Sequence, residues 1–209
     1  MNHAGILADS SIRAAIEDGR IQIDPFNPEQ LNPASYDLTL GDEVAVYRDW
    51  VLTYEAPKTA LEDGRHFVAK PGRLIDPKEE PKIEKFKITP SYGWLLYPGI
   101  GYLMHTRERV CTRHFVPVLD GKSSIGRLFV KVHETAGYGD PGFDGQYTLE
   151  VTVQHPIKLY PGMRICQIRF HTIAGEVSST YDKVGHYTQE AARGAVASQA
   201  WKQFRKPHV

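Results

Sequence analysis

Gly121-Lys-Ser-Ser-Ile-Gly-Arg127 runs into Leu128-Phe-Val-Lys-Val-His133, then Glu134-Thr-Ala-Gly-Tyr-Gly-Asp-Pro-Gly-Phe-Asp-Gly145, then Gln146-Tyr-Thr-Leu-Glu-Val-Thr-Val153. Gly121–Arg127 is a turn of small residues, and 128–133 predicts a strand. Asp140-Pro-Gly142 predicts a tight turn, and 147–153 predicts a second strand. In that second strand Tyr147, Leu149 and Val151 point one way, while Thr148, Glu150 and Thr152 point the other. Turn and strand chemistry alternating at this pitch decides for a fold made mainly of β-strands.

The neighbouring sequence continues the pattern. From Trp94 onward strands are predicted at 94–97, 101–106, 115–118, 128–133, 147–153, 157–159 and 164–171. Tyr97-Pro-Gly99, Asp120-Gly121, Asp140-Pro-Gly142 and Tyr160-Pro-Gly162 separate them. Many short, evenly spaced strands predict a β-sandwich or barrel of jelly-roll type. Upstream, Asp9-Ser10-Ser11 offers N-cap groups to a short helix with apolar residues at 12, 15 and 16 and a closing Gly19. Ile21–Ile23, a strand carrying Leu38 and Leu40 on one face, and Val44–Tyr47 follow. Residues 48–90 hold too few apolar residues for a second core and predict a surface excursion with one or two edge strands. The chain is expected to be a single domain over 1–209, with 181–209 as a tail.

Bulk properties narrow the function classes. The 209 residues carry 25 Lys and Arg against 25 Asp and Glu, so no net field favours nonspecific nucleic-acid binding. No apolar run approaches the ~18 residues of a membrane helix. Met1–Leu7 lacks a basic segment leading into an apolar one, so no signal peptide is predicted and the cytoplasm is the expected location. Cys111 and Cys166 sit in apolar contexts and predict buried thiols in a reducing compartment.

Gly121–Arg127 can cradle a polyphosphate through backbone amides, two hydroxyls and two cations, or serve as a solvated turn. It lacks the spacing of a Walker P-loop. Thr135–Gly142 exposes backbone groups able to read a flat ring, and Asp140 is either a sugar-binding carboxylate or a turn cap. Glu150 is an ordinary surface charge if its face meets solvent. If that face lines a pocket, desolvation suits it to general acid–base work. Protein-bound metal is not predicted. His133-Glu134 does not have the zinc-deaminase spacing, the two cysteines stand 55 residues apart, and the nine histidines are scattered.

Taken together, these residues resemble the dCTP deaminase branch of the trimeric dUTPase superfamily. The resemblance covers Ile23–Phe26, Asn32-Pro-Ala-Ser-Tyr-Asp-Leu38, Gly121–Arg127, Thr135–Gly145, Thr148-Leu-Glu150, Leu159–Gln167 and Gly194-Ala-Val-Ala-Ser198. It implies a distorted jelly-roll β-barrel of the dUTPase-like type with a short N-terminal helix, assembled as a homotrimer with pockets between subunits. The tail, 181–209, would close over bound nucleotide. Lys122, Ser123, Ser124 and Arg127 would hold the triphosphate of a dCTP- or dUTP-type nucleotide, with Mg2+ carried on the phosphates and no zinc. Asp140 would meet the deoxyribose. The backbone of Thr135, Ala136, Gly137, Tyr138 and Thr148 would read the cytosine edge. Gln167, Tyr181 and His186 would complete the phosphate and tail contacts. Glu150 would activate the water that attacks cytosine C4, helped by Arg127 and Ser123, in a hydrolase acting on the C–N bond of a cyclic amidine.

Ala136-Gly137-Tyr138 resembles the members that go on to release pyrophosphate and form dUMP. Three alternatives stand beside that one: a deaminase that stops at dUTP, a dUTPase-like pyrophosphohydrolase, and an idle nucleotide-binding trimer. Two departures bear on substrate choice. Gly139 stands where the family carries Ile, and His186-Tyr187, with Gln189 and Glu190 nearby, stands where the family's tail has Lys-Tyr and Gln. A less phosphorylated or modified cytosine nucleotide is the corresponding expectation.

Overall fold

The computed structural model describes residues 5–47, 75–187 and 193–205, and the backbone of 52–54 and 67–69. Helix α1 (Asp9–Glu17) leads into β1 (Ile21–Asp24), a 3-10 turn at Pro28–Gln30, β2 (Leu31–Asn32), β3 (Ser35–Thr39) and β4 (Glu43–Tyr47). β5 (Leu52–Tyr54) and β6 (Phe67–Ala69) pair with each other, and β7 (Ile83–Lys87) and β8 (Trp94–Leu96) follow. β9 (Tyr102–Thr112), β10 (Phe115–Gly121), α2 (Ser123–Gly126), β11 (Val130–Lys131) and β12 (Asp144–Val153) hold the central stretch. β13 (Ile157–Leu159), β14 (Arg164–Thr172), α3 (Tyr181–Val184) and α4 (Lys202–Arg205) complete the order.

Two sheets share one core. The larger runs β11-β12-β9-β4-β7 with β1 also on β9, and the smaller runs β10-β14-β3-β2. Tyr36, Leu38, Met104, Leu149, Val151, Ile168 and Phe170 from both sheets are sealed between them. The fold is thus mainly β with short helices, and no closed barrel forms among the described residues. α1 buries Ile12 and Ala15 as its spacing requires, and Gly19, at φ +78°, ends it with its N–H on Ile16 O at 3.1 Å. Its N-cap is Ala8, without a side-chain bond, because Asp9 already sits in the first turn.

Three local expectations change. Residues 128–133 are not one strand. Gly121–Arg127 tightens into α2, the turn continues through Phe129 at φ 57°, and only Val130–Lys131 pair with β12. β9 does not stop at 106 but reaches Thr112, because its polar run Arg107-Glu108-Arg109 still alternates. Glu108 points inward at 1% exposure, accepting from Thr39 N–H (2.8 Å), Thr39 Oγ1 (2.7 Å) and Gln30 Nε2 (3.1 Å). β3 is buried on both faces, Asp37 included, so it is not the one-sided strand its leucines suggest. In the 48–90 excursion, β7 is an added strand on the main sheet beside β4. Segments 48–51, 55–66 and 70–74 lie outside the described residues, as do residues 1–4 of the N-terminal reading.

Candidate active site

β12 crosses the large sheet between β11 and β9, and one of its faces is not covered by the core. Leu149 and Val151 turn inward, so Thr148 and Glu150 turn the other way, into a cavity of about 490 Å³. That volume suits a nucleoside-sized ligand. Ala136, Tyr138 and Asp140 wall it from the loop before β12, Tyr47 and Leu103 from β4 and β9, and Tyr181, Tyr187, Val196 and Ser198 from the C-terminal segment. Burial pushes the Glu150 carboxyl above its ordinary value. The Glu134 N–H, 3.4 Å from Glu150 Oε2, and the nearby His133 pull the other way. A half-buried carboxyl held in this balance is what a general base in a pocket needs.

The loop owes its path to two glycines. Leu119 N–H donates to Gly137 O at 2.6 Å, and Gly139 N–H donates to Pro117 O at 2.8 Å, which ties the loop to β10. A Cβ on Gly137 would lie 2.5 Å from Leu119 O, so no larger residue fits. A Cβ on Gly139 would meet Tyr147 OH at 2.8 Å and Pro117 Cγ at 2.9 Å. Tyr147 therefore occupies the space that a side chain at 139 would take. Its hydroxyl is buried without a hydrogen-bond partner among the described residues, and burial pushes its pKa strongly upward.

The register between β12 and β9 jumps from Gln146↔Arg109 to Thr148↔His105, setting Thr106, Arg107 and Glu108 of β9 against Tyr147 of β12. Side chains fill the gap. Tyr147 N–H donates to Thr106 Oγ1 at 3.0 Å, and Gln146 Nε2 donates to Arg107 O at 3.0 Å. Gln146 and Thr148 hold the C-terminal segment. Gly194 N–H donates to Gln146 Oε1 at 2.8 Å, and Val196 N–H donates to Thr148 Oγ1 at 3.2 Å. Ala195 is fully buried against Ala45 and Leu103, and its N–H donates to Glu43 Oε1 at 3.2 Å. Tyr187 N–H donates to Tyr181 OH at 3.2 Å, and Gln199 N–H donates to Tyr187 OH at 2.8 Å. Val196 and Ser198 thus line the cavity from their own chain.

The phosphate-type residues form a second group. Gln167 Nε2 donates to Gly121 O at 3.0 Å, and Ser35 Oγ donates to Gln167 Oε1 at 2.9 Å, so β14 and β3 brace the start of α2. Ser123, Ser124 and Arg127 are exposed on α2 and just beyond it. Lys122 is not free. Its Nζ donates to both Asp37 carboxylate oxygens at 2.7 and 2.8 Å, and Asp37 is fully buried.

Of the residues singled out in the sequence, Ala136, Tyr138, Asp140, Thr148, Glu150 and Tyr181 share the cavity. Gly137 braces it from behind. Lys122, Ser123, Ser124, Arg127 and Gln167 gather apart from it, and Thr135 and His186 are exposed outside its lining. Gln189 and Glu190 lie outside the described residues. Sequence reasoning missed Gln146 and Tyr47, and it met Tyr187 only as a tail position beside His186. Of these, Gln146 alone carried a signal, since it shares its strand face with Thr148 and Glu150. Among the described residues no three His, Cys, Asp or Glu side chains gather in a group able to hold a metal ion.

Residues 6–173 match a family model described as dCTP deaminase-like. A "dCTP deaminase, dUMP-forming" of Leptospira biflexa serovar Patoc is 40% identical over 186 residues, covering 89% of this chain and 91% of the relative. One of Clostridium botulinum (strain Eklund 17B / Type B), with the same description, is 39% identical over 186 residues, again 89% and 91%. One of Cytophaga hutchinsonii is 40% identical over the same length and coverage. Among solved structures, 2'-deoxycytidine 5'-triphosphate deaminase from Agrobacterium tumefaciens superposes with TM-score 0.57 at 25% identity over 83% of this chain. This chain spans 50% of that longer one.

Proposed function

This chain belongs to the dCTP deaminase-like family, and from that premise we propose that it is an enzyme that deaminates dCTP and carries the product on to dUMP. The observation that carries the reading is Glu150: a carboxyl raised by burial, in a nucleoside-sized cavity that Ala136, Tyr138 and Thr148 also line. Glu150 takes a proton from water as the hydroxide oxygen bonds to cytosine C4. That proton is delivered to N3, the remaining hydroxyl proton passes to the amine, the C4–N bond breaks, and ammonia leaves as the C4 carbonyl forms with N3–H retained. A second water, at the α-phosphorus, then releases pyrophosphate and leaves dUMP. Asp140, at the open side of the cavity, meets the deoxyribose, and Ala136 to Tyr138 with Thr148 read the base.

The triphosphate falls to Ser123, Ser124 and Arg127, with Gln167 bracing their turn. Lys122 serves this group through Asp37, as the ion pair that fixes where α2 begins. Arg127 and Ser123 also orient water and steady developing charge. Two features support completion of each site by a second copy in a homotrimer of distorted jelly-roll subunits. The phosphate group and the cavity stand apart within one chain. Beside Arg127, Leu128 and Phe129 are 50% and 55% exposed, as residues awaiting cover are. Mg2+ would arrive on the substrate's phosphates, since the donors gathered around α2 are hydroxyls and cations. The C-terminal segment is the closing element in this reading, and His186, exposed at its start, faces the end of the substrate that varies with phosphate number. No described helix is long and apolar enough to cross a membrane, and a cytoplasmic location is part of the proposal.

The test is product analysis after incubation with magnesium and dCTP, then with dUTP. dUMP and ammonia from dCTP, with little free dUTP, is the expected outcome. dUTP as the end product would remove the second step. dUMP from dUTP but not from dCTP would replace the reading with a dUTPase, and turnover of neither would remove both activities.

A further inference from the structure

We propose that Arg113 is a positioning residue that seats the C-terminal wall of the cavity through Asp182; the inference rests on the reading of that cavity as the nucleoside site. The wall begins at α3, and α3 cannot hold itself. It is a single turn, Tyr181–Val184, with no buried residue, and its N-cap Thr180 satisfies no backbone N–H with its side chain. A helix this short does not persist in water without tertiary contacts. Tyr181 nevertheless lines the cavity. Its hydroxyl accepts from Tyr187 N–H at 3.2 Å, so the next residue of the wall takes its place from Tyr181.

What fixes α3 lies at one corner of the fold. Tyr181 N–H donates to Pro141 O at 2.8 Å. The Tyr181 ring meets Phe143 edge-on, with centroids 5.8 Å apart. Arg113 Nη2 donates to Asp182 Oδ2 at 2.9 Å. Pro141 and Phe143 belong to the turn that carries Asp140. That turn hangs from the end of β9, where Gly142 N–H donates to Thr112 O at 2.7 Å. Arg113 is the next residue along the chain. One strand end thus holds the turn through Thr112 and α3 through Arg113. The fit between turn and helix is close: a Cβ on Gly142 would lie 2.7 Å from Asp182 Oδ1 and 3.0 Å from Tyr181 N. The bare glycine lets the carboxylate down onto the turn, and Arg113 keeps it there. Asp140 and Tyr181 therefore take their places on the cavity wall from a single junction. With 62% of the Arg113 side chain and 26% of the Asp182 side chain exposed, the ion pair adds little to global stability and acts on placement.

The test is hydrogen exchange of the amides of residues 181–187, together with steady-state kinetics for dCTP. Both are measured on the full-length protein and on Arg113→Gln, Asp182→Asn and Arg113→Lys. Arg113→Gln and Asp182→Asn should each speed exchange of the Tyr181 amide several-fold. Each should raise the KM for dCTP about two- to five-fold, the range an exposed pair supports, with kcat and melting temperature at wild-type values. Arg113→Lys can remake the single N–H···O contact and should restore both readouts. Wild-type exchange and KM in the folded Arg113→Gln and Asp182→Asn proteins overturn the proposal. So do faster exchange with KM unmoved, a fall in kcat with KM unmoved, and a KM effect that Arg113→Lys fails to restore. Exchange does not depend on activity, which separates the two levels of argument. If the wild type turns over no dCTP, the reading of the cavity falls and exchange alone decides the junction; if it turns over dCTP and the KM does not move, only the role of Arg113 falls.

Discussion

Replacing Lys122 with methionine keeps most of the aliphatic stem and removes the ammonium that neutralises Asp37. The carboxylate left behind has no solvent exposure. It keeps Asn32 Nδ2 at 2.9 Å and a distant Arg164 Nη1 at 3.5 Å. Stripping one partner from a buried ion pair costs about 3–5 kcal/mol. The two remaining donors return part of this, so a net loss of about 2–3 kcal/mol is expected. For a chain of 209 residues the unfolding entropy is about 0.4 kcal/mol/K, which converts the loss to a melting temperature lower by about 5–7 °C. Scanning calorimetry of the ligand-free protein measures it, and the deficit should persist in 0.5 M salt because a buried pair is poorly screened. Ser123→Ala, at an exposed position, should melt within about 1 °C of wild type while raising the KM for dCTP. Adding Asp37→Asn to Lys122→Met should recover most of the stability, since the stranded charge is gone. A Lys122→Met protein that melts within about 1 °C of wild type would refute the view that this lysine is committed to the fold before it meets a phosphate.

Glu150→Gln should abolish ammonia release and keep nucleotide binding, measured by ammonia assay and calorimetric titration. A carboxyl whose folded pKa is raised favours the folded state below its unfolded pKa, and that support is lost as pH rises through the folded value. Glu150→Gln should therefore melt above wild type at pH 8, with the gap closing towards pH 4. Gly139→Ala places a Cβ 2.8 Å from Tyr147 OH and should cost about 1–3 kcal/mol by denaturant titration, whereas Tyr147→Phe removes an unpaired buried hydroxyl and should leave stability unchanged or higher. Gly194 has φ +70° and would bring a Cβ 2.7 Å from Glu43 Oε1, so Gly194→Ala should release the C-terminal segment, seen as faster limited proteolysis and a several-fold higher KM.

What could be read from the sequence follows from the range of each interaction. Alternation along 147–153 put Thr148 and Glu150 on one face, and the cavity lies on that face. The turns at Asp140-Pro-Gly142 and Tyr160-Pro-Gly162 are set by residues next to each other, so they too could be read; Gly142 and Gly162 have φ +94° and +81°. Interactions between distant residues could not. Lys122 reads as a solvent-facing cation until β3 delivers Asp37, 85 positions earlier, beneath it. The run Arg107-Glu108-Arg109 reads as the end of a strand because an inward carboxylate makes sense only with Thr39 and Gln30 beside it. Gly139 reads as a lost anchor, and the compensation, Tyr147, is visible only once the loop folds over β12. Cys111 and Cys166 are free thiols; Cys166 is fully buried as its apolar neighbours predict, whereas Cys111, near the end of β9, is only half-buried.

Gln146 carries a consequence for chemical ageing. Its amide is used in both senses, the nitrogen giving to Arg107 O and the oxygen taking from Gly194 N–H. Only one orientation of the amide satisfies both. Exchange of NH2 for O, the product of deamidation, would set a carboxylate against the Arg107 carbonyl and turn one of the two contacts repulsive. The side chain would then turn towards solvent, taking with it the acceptor that holds Gly194. A change of one mass unit on the cavity floor would thus be expressed at the far end of the chain, as a loosened C-terminal segment in aged protein.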